Sequence, residues 1–282
     1  MKIATVRVDG RDWVALAGEQ GDEIGLLVPG SVDELLGSGS DWLDRVATMT
    51  PKIRRYDDVV FRPLVSRAQV LCVGLNYRDH VLEMGREIPE VPTIFTKGPQ
   101  ALCGAFDPIT LPEVSQQVDY EGELVVVIGR PVRGVSEEAA VGAIAGYSVM
   151  NDVSMRDWQK RTTQWWQGKN FEASSPVGPW LVTPQEAGPW QDLEVVTRVN
   201  GEVRQRSQCA NLIFSPEALV AYVSQFTTLR PGDLIATGTP GGVIAGSSNP
   251  KWLADGDCVS VAIEGVEECR NTFHDHNLAA TV

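Results

Sequence analysis

The chain has 282 residues and a formal net charge of -13, with 24 Lys and Arg against 37 Asp and Glu. Hydrophobic residues make up 43 % and charged residues 22 %, which is typical of a packed globular protein and excludes disordered, collagen-like and coiled-coil classes. The acidic balance argues against nucleic acid and against anionic membrane surfaces as partners. An acidic small molecule stays possible, because a bound divalent cation reverses the local charge of a site.

The first 65 residues are expected to form a small N-terminal domain that is rich in strands. Three short apolar segments in residues 1–30 are separated by turn residues, which predicts an antiparallel meander. Helical spacing of apolar residues follows over 32–49, and a proline at position 63 then interrupts the chain. A length prior of about 150 residues per domain agrees with a second domain, which we place at 66–282.

Strands dominate the second domain. It opens with an apolar run, Val70–Leu75, that predicts a buried strand, and strand-like segments prevail from residue 91 onward. Helices are predicted over 136–144 and 215–228. Strands outnumber helices and do not alternate strictly with them, which disfavours Rossmann and TIM-barrel folds. We therefore expect a β-rich α+β protein.

The cysteines and the N-terminus indicate a reducing compartment. Five cysteines are present and no two form a C-x-x-C pair, which disfavours a disulfide framework and a zinc site. Residues Met1–Val6 enter a strand-like pattern without the apolar region of a signal peptide. No apolar stretch approaches the ~18 residues of a membrane span. We expect a cytoplasmic protein.

Carboxylates are concentrated just before a valine run at residues 125–127. Alternation along a strand would place Asp119, Glu121 and Glu123 on one face. Neighbouring carboxylates repel each other and are costly to bury without a counter-charge, and a hard divalent cation such as Mg²⁺, Mn²⁺ or Ca²⁺ removes both costs. Asp152, which follows another apolar run, is a candidate third ligand. The alternatives are a solvated acidic strand end and, for Asp152, the N-cap of a following helix.

Two further motifs carry candidate chemistry. His80 and Glu83 have helical i, i+3 spacing after a predicted strand, as a general base or water activator requires, although an ordinary surface pair has the same spacing. Lys169 follows Trp165 and Trp166 and is a candidate to hold a carboxylate or an oxyanion. The alternative is a surface lysine beside two core tryptophans.

The segment 236–243 is rich in glycine and follows a predicted strand. It lacks the patterns of nucleotide-binding loops. Its backbone N–H groups are suited to hold a carboxylate.

Together these motifs resemble the fumarylacetoacetate hydrolase family over roughly residues 70–272. Their common order along the chain carries the resemblance. The matching segments are Gly74–His80, Phe95–Lys97, Asp119–Leu124, Asn151–Asp157, Gly168–Phe171, Val199–Glu202 and Pro231–Pro240. The resemblance implies a mixed β-roll of barrel-like sheets with peripheral helices around a metal site, a small β-rich N-terminal domain, and a homodimer.

The resemblance also implies roles for single residues. It assigns Mg²⁺ or Mn²⁺, or Ca²⁺ in crystals, to three carboxylates, and it assigns catalysis to a His–Glu pair on a mobile helix with a lysine for the oxyanion. The implied residues are Glu121, Glu123 and Asp152 for the metal, His80, Glu83 and Lys169 for catalysis, and Arg156, Gln159 and Thr239 for the substrate. The Trp165–Trp166 pair and the segment 171–174 depart from common members.

The resulting functional expectation is a metal-dependent hydrolase acting on a keto acid. We expect cleavage of a C–C bond in an acylpyruvate, with fumarylpyruvate giving fumarate and pyruvate in aromatic catabolism as the specific reaction. The same metal-enolate site would serve two alternatives, a 2-hydroxyhepta-2,4-diene-1,7-dioate isomerase and an oxaloacetate decarboxylase. A non-catalytic metal-binding scaffold is a remote alternative, which the set of His80, Glu83 and Lys169 disfavours.

Overall fold

The computed structural model describes residues 1–18, 22–83 and 85–276. Strands predominate within these ranges. They are β1 (Lys2–Val8), β2 (Arg11–Ala17), β3 (Glu23–Pro29), β4 (Lys52–Arg55), β5 (Val60–Phe61), β6 (Val70–Gly74), β7 (Thr93–Lys97), β8 (Leu102–Cys103), β9 (Ile109–Leu111), β10 (Val118–Asp119), β11 (Gly122–Ile128), β12 (Ile144–Asn151), β13 (Ser154–Met155), β14 (Ser175–Pro176), β15 (Leu181–Val182), β16 (Glu194–Val199), β17 (Glu202–Gln208), β18 (Leu234–Ala236), β19 (Cys258–Ile263) and β20 (Glu267–Asp275).

The helices are short, and the longest spans 11 residues. They are α1 (Val32–Gly37), α2 (Trp42–Thr48), α3 (Arg78–Glu83), α4 (Glu137–Val141), α5 (Arg156–Gln159), α6 (Trp166–Lys169), α7 (Pro184–Ala187) and α8 (Pro216–Phe226). The predicted helices at 136–144 and 215–228 are confirmed as α4 and α8. Ser136 and Ser215 begin them by accepting a backbone N–H bond in the first turn. Among the described residues, no helix is long and apolar enough to cross a membrane.

The largest sheet has the order β4-β3-β2-β1-β15-β12-β11-β18-β6-β7, with β5 also paired to β1. The predicted N-terminal meander is confirmed, since β1, β2 and β3 pair antiparallel in sequence order. Antiparallel pairing of β1 with β15, in which Ile3 faces Leu181, extends this sheet across the proposed boundary at residue 65. The division into 1–65 and 66–282 stays a prediction.

The central strand β11 is buried at every position, because both faces of the sheet are covered. On one face, Leu124 and Val126 belong to a core that includes Val261 of the second sheet and α8. On the other face, Val125 and Val127 pack in a core with α1 and α2. The second sheet has the order β17-β16-β19-β20-β9. The prediction of a β-rich α+β fold with peripheral helices is confirmed.

Candidate active site

Three buried carboxylates meet where β11 begins and β12 ends. Glu121 precedes β11, Glu123 lies within it, and Asp152 follows β12 directly. The strands are antiparallel, with Gly122 opposite Asn151, and the Asp152 N–H donates to the Glu121 carbonyl at 2.8 Å. One oxygen of each carboxylate lies within 4.8 Å of the others. The register of two central strands therefore assembles the three residues that the family resemblance assigns to a metal.

Asp119 lies apart from this group, so the expectation that it shares a face with Glu121 and Glu123 is wrong. The strand is interrupted between β10 and β11, and alternation does not continue across the break. The Asp119 carboxylate accepts from Arg156 Nε at 2.8 Å and from the backbone N–H groups of Ile244 and Ala245 at 2.9 and 3.0 Å. Asp119 thereby anchors Arg156 and a loop of the site.

Three buried cations surround the carboxylates. The ammonium of Lys169 lies 2.7 Å from an oxygen of both Glu121 and Asp152. Lys97 lies 2.7 Å from the other Asp152 oxygen and donates to the Lys169 carbonyl. Arg156 lies 2.6 Å from Glu121 through Nη2. Each cation therefore has a carboxylate partner within this cluster.

The electrostatics fit a hard divalent cation. Burial alone would raise the pKa of Glu121, but the charges of Lys169 and Arg156 lower it to about 2. Burial together with the neighbouring Asp152 and Glu121 raises the pKa of Glu123 well above its usual range. If Asp119, the partner of Arg156, is counted with the three carboxylates and all groups are ionised, four carboxylates face three cations, which leaves one net negative charge shielded from water. Oxygen donors at this spacing are what Mg²⁺ and Mn²⁺ prefer.

The helix α3 carries His80 and Glu83 over one side of the site. His80 is buried, at 7 % exposure, and its Nδ1 lies 3.5 Å from a Glu83 carboxylate oxygen. Glu83 also accepts from the Gly242 N–H at 3.0 and 3.1 Å. A Cβ at Gly246 would lie 2.6 Å from the Glu83 carboxyl carbon, so the loop approaches closely. Glu83 therefore both faces His80 and fastens α3 to the loop.

The glycine-rich segment 237–246 contacts several parts of the site. Its backbone N–H groups bind carboxylates, as predicted, but these carboxylates are side chains of the protein itself. Gly238 donates to Glu123 at 2.8 Å, Gly242 donates to Glu83, and Ile244 and Ala245 donate to Asp119. Gly238 has φ 99°, and a Cβ there would lie 2.9 Å from the Val73 carbonyl oxygen. This position therefore requires glycine.

A cavity of about 380 Å³ opens above the carboxylates. Six of the predicted residues line it, namely His80, Glu121, Arg156, Gln159, Lys169 and Thr239. Glu123 and Asp152 are buried below, and Glu83 supports His80. The structure thus brings all nine predicted residues together. Their catalytic, metal-binding and substrate-binding roles stay predictions.

The alternatives for Asp152 and Lys169 are wrong. The helix α5 begins after Met155, so Asp152 does not cap it. Lys169 is 1 % exposed whereas Trp166 is 51 % exposed, which reverses the expected arrangement. Trp165 instead lines the cavity, with its ring 5.6 Å from Phe95.

Sequence reasoning missed Lys97 as a residue of the site. In the sequence it belongs to the motif Phe95–Lys97 and carries no other mark of a role than its place at the end of a strand. Its partner Asp152 is 55 positions away, and no local pattern connects them.

Comparison with known proteins agrees with this architecture. A family profile described as "Fumarylacetoacetate (FAA) hydrolase C-terminal" matches residues 69–274. The chain is 41 % identical over 243 residues to "Oxaloacetate tautomerase FAHD2A, mitochondrial" of Bos taurus, and the alignment covers 84 % of this chain and 77 % of the relative. It is 37 % identical over 260 residues to oxaloacetate tautomerase YisK of Bacillus subtilis (strain 168), and the alignment covers 86 % of both chains.

A solved structure gives the same result for the fold. The crystal structure of 5-carboxymethyl-2-hydroxymuconate delta-isomerase from Mycobacterium smegmatis matches with a TM-score of 0.81 and 34 % identity, over 98 % of this chain and 99 % of that chain. The profile spans most of the chain, and the two relatives are 41 % and 37 % identical to it over the aligned residues. The chain belongs to the fumarylacetoacetate hydrolase family.

Proposed function

We propose that this protein is a metal-dependent enzyme that moves a proton between the enol and keto forms of a 2-oxo acid. The observation that carries the proposal is the buried His80, paired with Glu83, which lines one cavity with Glu121 of the carboxylate group Glu121, Glu123 and Asp152. The relatives are named oxaloacetate tautomerases and the structural neighbour an isomerase. These names support proton transfer better than the hydrolysis expected from the sequence.

Glu121, Glu123 and Asp152 are the residues that would hold the divalent cation, which we propose to be Mg²⁺ or Mn²⁺. When bound, the ion would polarise the oxygens of a 2-oxo acid and stabilise negative charge on them. Lys169 and Arg156 hold the Glu121 carboxylate between them. Lys97 holds Asp152 from the opposite side. These contacts fix the donor atoms in place before any ligand enters.

His80 would transfer the proton at the carbon next to the 2-oxo group. In the ketonisation direction, that carbon gains a proton from the imidazolium while the enol hydroxyl loses one to solvent. Glu83, 3.5 Å from His80 Nδ1, would stabilise the imidazolium and orient the ring. The helix α3 that carries both residues lies beside the cavity and, closed over a bound ligand, would keep bulk water from the reacting carbon.

Hydrolysis of fumarylpyruvate is the second candidate. It would use the same pair to activate a water molecule, and the size and lining of the cavity favour it. The volume of about 380 Å³ and the apolar wall of Phe95 and Trp165 leave room for an acyl group.

Parallel assays distinguish the candidates. We would follow the decay of enol-oxaloacetate, and the release of pyruvate from fumarylpyruvate and from oxaloacetate, each with Mg²⁺ and with a chelator. The proposal expects metal-dependent acceleration of enol decay without pyruvate release from oxaloacetate. Pyruvate release from fumarylpyruvate, with enol decay unchanged, would replace the proposal with the hydrolase. Pyruvate release from oxaloacetate alone would favour a decarboxylase.

The His80→Ala variant links the activity to this site. It should retain Mn²⁺ binding and lose most of the acceleration of enol decay. Unchanged enol decay in this variant would remove His80 from the mechanism.

A further inference from the structure

Two exposed cations, Arg86 and Lys160, line the same cavity as His80 and Lys169. We propose that they form an outer anion subsite, which binds the second carboxylate of a dicarboxylic 2-oxo acid. The inference rests on the proposed function only in placing the 2-oxo end of the ligand at the buried carboxylates.

The positive charges of the inner cations, Arg156 and Lys169, are already compensated by carboxylates of the protein and do not balance a second ligand carboxylate. Arg156 is paired with Asp119 and Glu121 at 2.8 and 2.6 Å, and Lys169 is paired with Glu121 and Asp152 at 2.7 Å. With a divalent cation bound and Asp119, Glu121, Glu123 and Asp152 all ionised, this cluster would carry one net positive charge. That charge balances one carboxylate, the one beside the 2-oxo group. A second carboxylate therefore needs a separate counter-charge.

Arg86 and Lys160 supply that counter-charge. Within the part of the chain that the structure describes, neither forms an ion pair with a carboxylate at 4.0 Å or less. Among the described lining residues, Glu121 is the single acidic one, and it is already held by Arg156 and Lys169. The outer part of the cavity is therefore positive although the whole chain carries a net charge of -13.

The backbone holds Arg86 next to the end of α3. The Arg86 N–H donates to the Val81 carbonyl and the Gly85 N–H donates to the Leu82 carbonyl, each at 3.0 Å. Gly85 has φ 62°, the left-handed conformation of a Schellman motif. Arg86 is thus tied to the helix that carries His80. A carboxylate bound by Arg86 would favour the position of α3 over the site.

The cavity also has an apolar wall. Phe95 and Trp165 line the cavity, and Trp165 packs so closely on Gly74 that a Cβ there would overlap the indole ring. The cavity therefore offers a charged inner end, an apolar wall and a cationic mouth. This arrangement suits a ligand that carries a carboxylate at each end.

Two unreactive ligands test the subsite. Oxamate and N-oxalylglycine share the oxalyl amide end, and N-oxalylglycine adds one CH₂ group and a second carboxylate. We would measure the affinity of both by calorimetry with saturating Mg²⁺, for the wild-type protein and for Arg86→Gln/Lys160→Gln. The wild type should bind N-oxalylglycine more tightly than oxamate. The variant should lose roughly ten- to hundredfold in affinity for N-oxalylglycine and less than about twofold for oxamate.

The matched control is Arg78→Gln/Arg133→Gln, which removes two exposed cations that do not line the cavity. It should keep the wild-type preference. Equal affinity of the wild type for both ligands, an unchanged preference in Arg86→Gln/Lys160→Gln, or an equal loss in the control would each overturn the subsite. Because neither ligand reacts, these results are independent of turnover. A preserved ligand preference without enol–keto activity would overturn the proposed function and leave the subsite standing.

Discussion

The base of the cavity and its cover are built in opposite ways. At the base, Glu121, Glu123 and Asp152 sit at the ends of central strands, and each is at most 7 % exposed. The cover is the six-residue helix α3, several residues of which are exposed. Buried charges need a rigid scaffold that compensates them, whereas a cover that admits substrate needs few buried contacts. The charge-dependent chemistry therefore lies in the sheet, and access and selectivity lie at the cover.

The Glu121→Gln substitution, at the base of the cavity, should have the largest effect on activity. It removes a candidate ligand and leaves Lys169 and Arg156 with less compensation. We expect Mn²⁺ binding by calorimetry to be lost and turnover to fall by about a thousandfold, comparable to the loss of a strong electrostatic stabiliser. Glu202→Gln, at an exposed ion pair with Arg204, should change neither. Full activity of Glu121→Gln without bound metal would refute the metal site.

Lys97→Met tests whether the base needs all three of its cations. The substitution leaves one Asp152 oxygen without the ammonium that lies 2.7 Å away in a fully buried pair. Breaking such a pair costs about 3–5 kcal/mol, which urea unfolding of the metal-free protein would measure.

Lys2→Met provides the matched control. The ion pair of Lys2 with Glu267 is just as short, at 2.6 Å, but both side chains are more than a quarter exposed. Its loss should cost about 1 kcal/mol or less. Equal losses of unfolding free energy in Lys97→Met and Lys2→Met would show that burial does not make the Lys97–Asp152 pair more important for stability than an exposed pair.

His80→Ala is the comparable change at the cover. We expect kcat for enol decay to fall by about a hundredfold, as for loss of a general acid–base, and the free energy of unfolding to change by less than in Lys97→Met. Turnover and urea unfolding measured on the same preparations give both numbers. A larger loss of stability than in Lys97→Met would contradict the division between a structural base and a functional cover.

The same division explains what could be predicted from the sequence. Glu121 and Glu123 flank Gly122, where β11 begins, and their two-residue spacing predicted that they lie together, although Glu121 itself precedes the strand. Asp119 does not follow this spacing, because Tyr120 and Glu121 interrupt the strand between β10 and β11. No pattern in the sequence indicates this interruption. The pairing of Lys97 with Asp152 depends on how distant strands are arranged in the sheet. The assignment of roles to His80 and Glu83 came from the ordered motifs of the family.

The smallest expected effect concerns the contact that joins the cover to the base. Glu83→Gln keeps the shape of the side chain but weakens its bonds to the Gly242 N–H and its attraction to a protonated His80. Loss of a charge-assisted bond worth about 1 kcal/mol should speed amide exchange in residues 78–83 by about fivefold and lower kcat by about tenfold, with Mn²⁺ affinity unchanged. Glu87→Gln, an exposed acid just beyond the helix, is the control and should change none of these. If kcat falls while exchange stays at the wild-type rate, Glu83 acts by orienting His80 and does not fasten the cover.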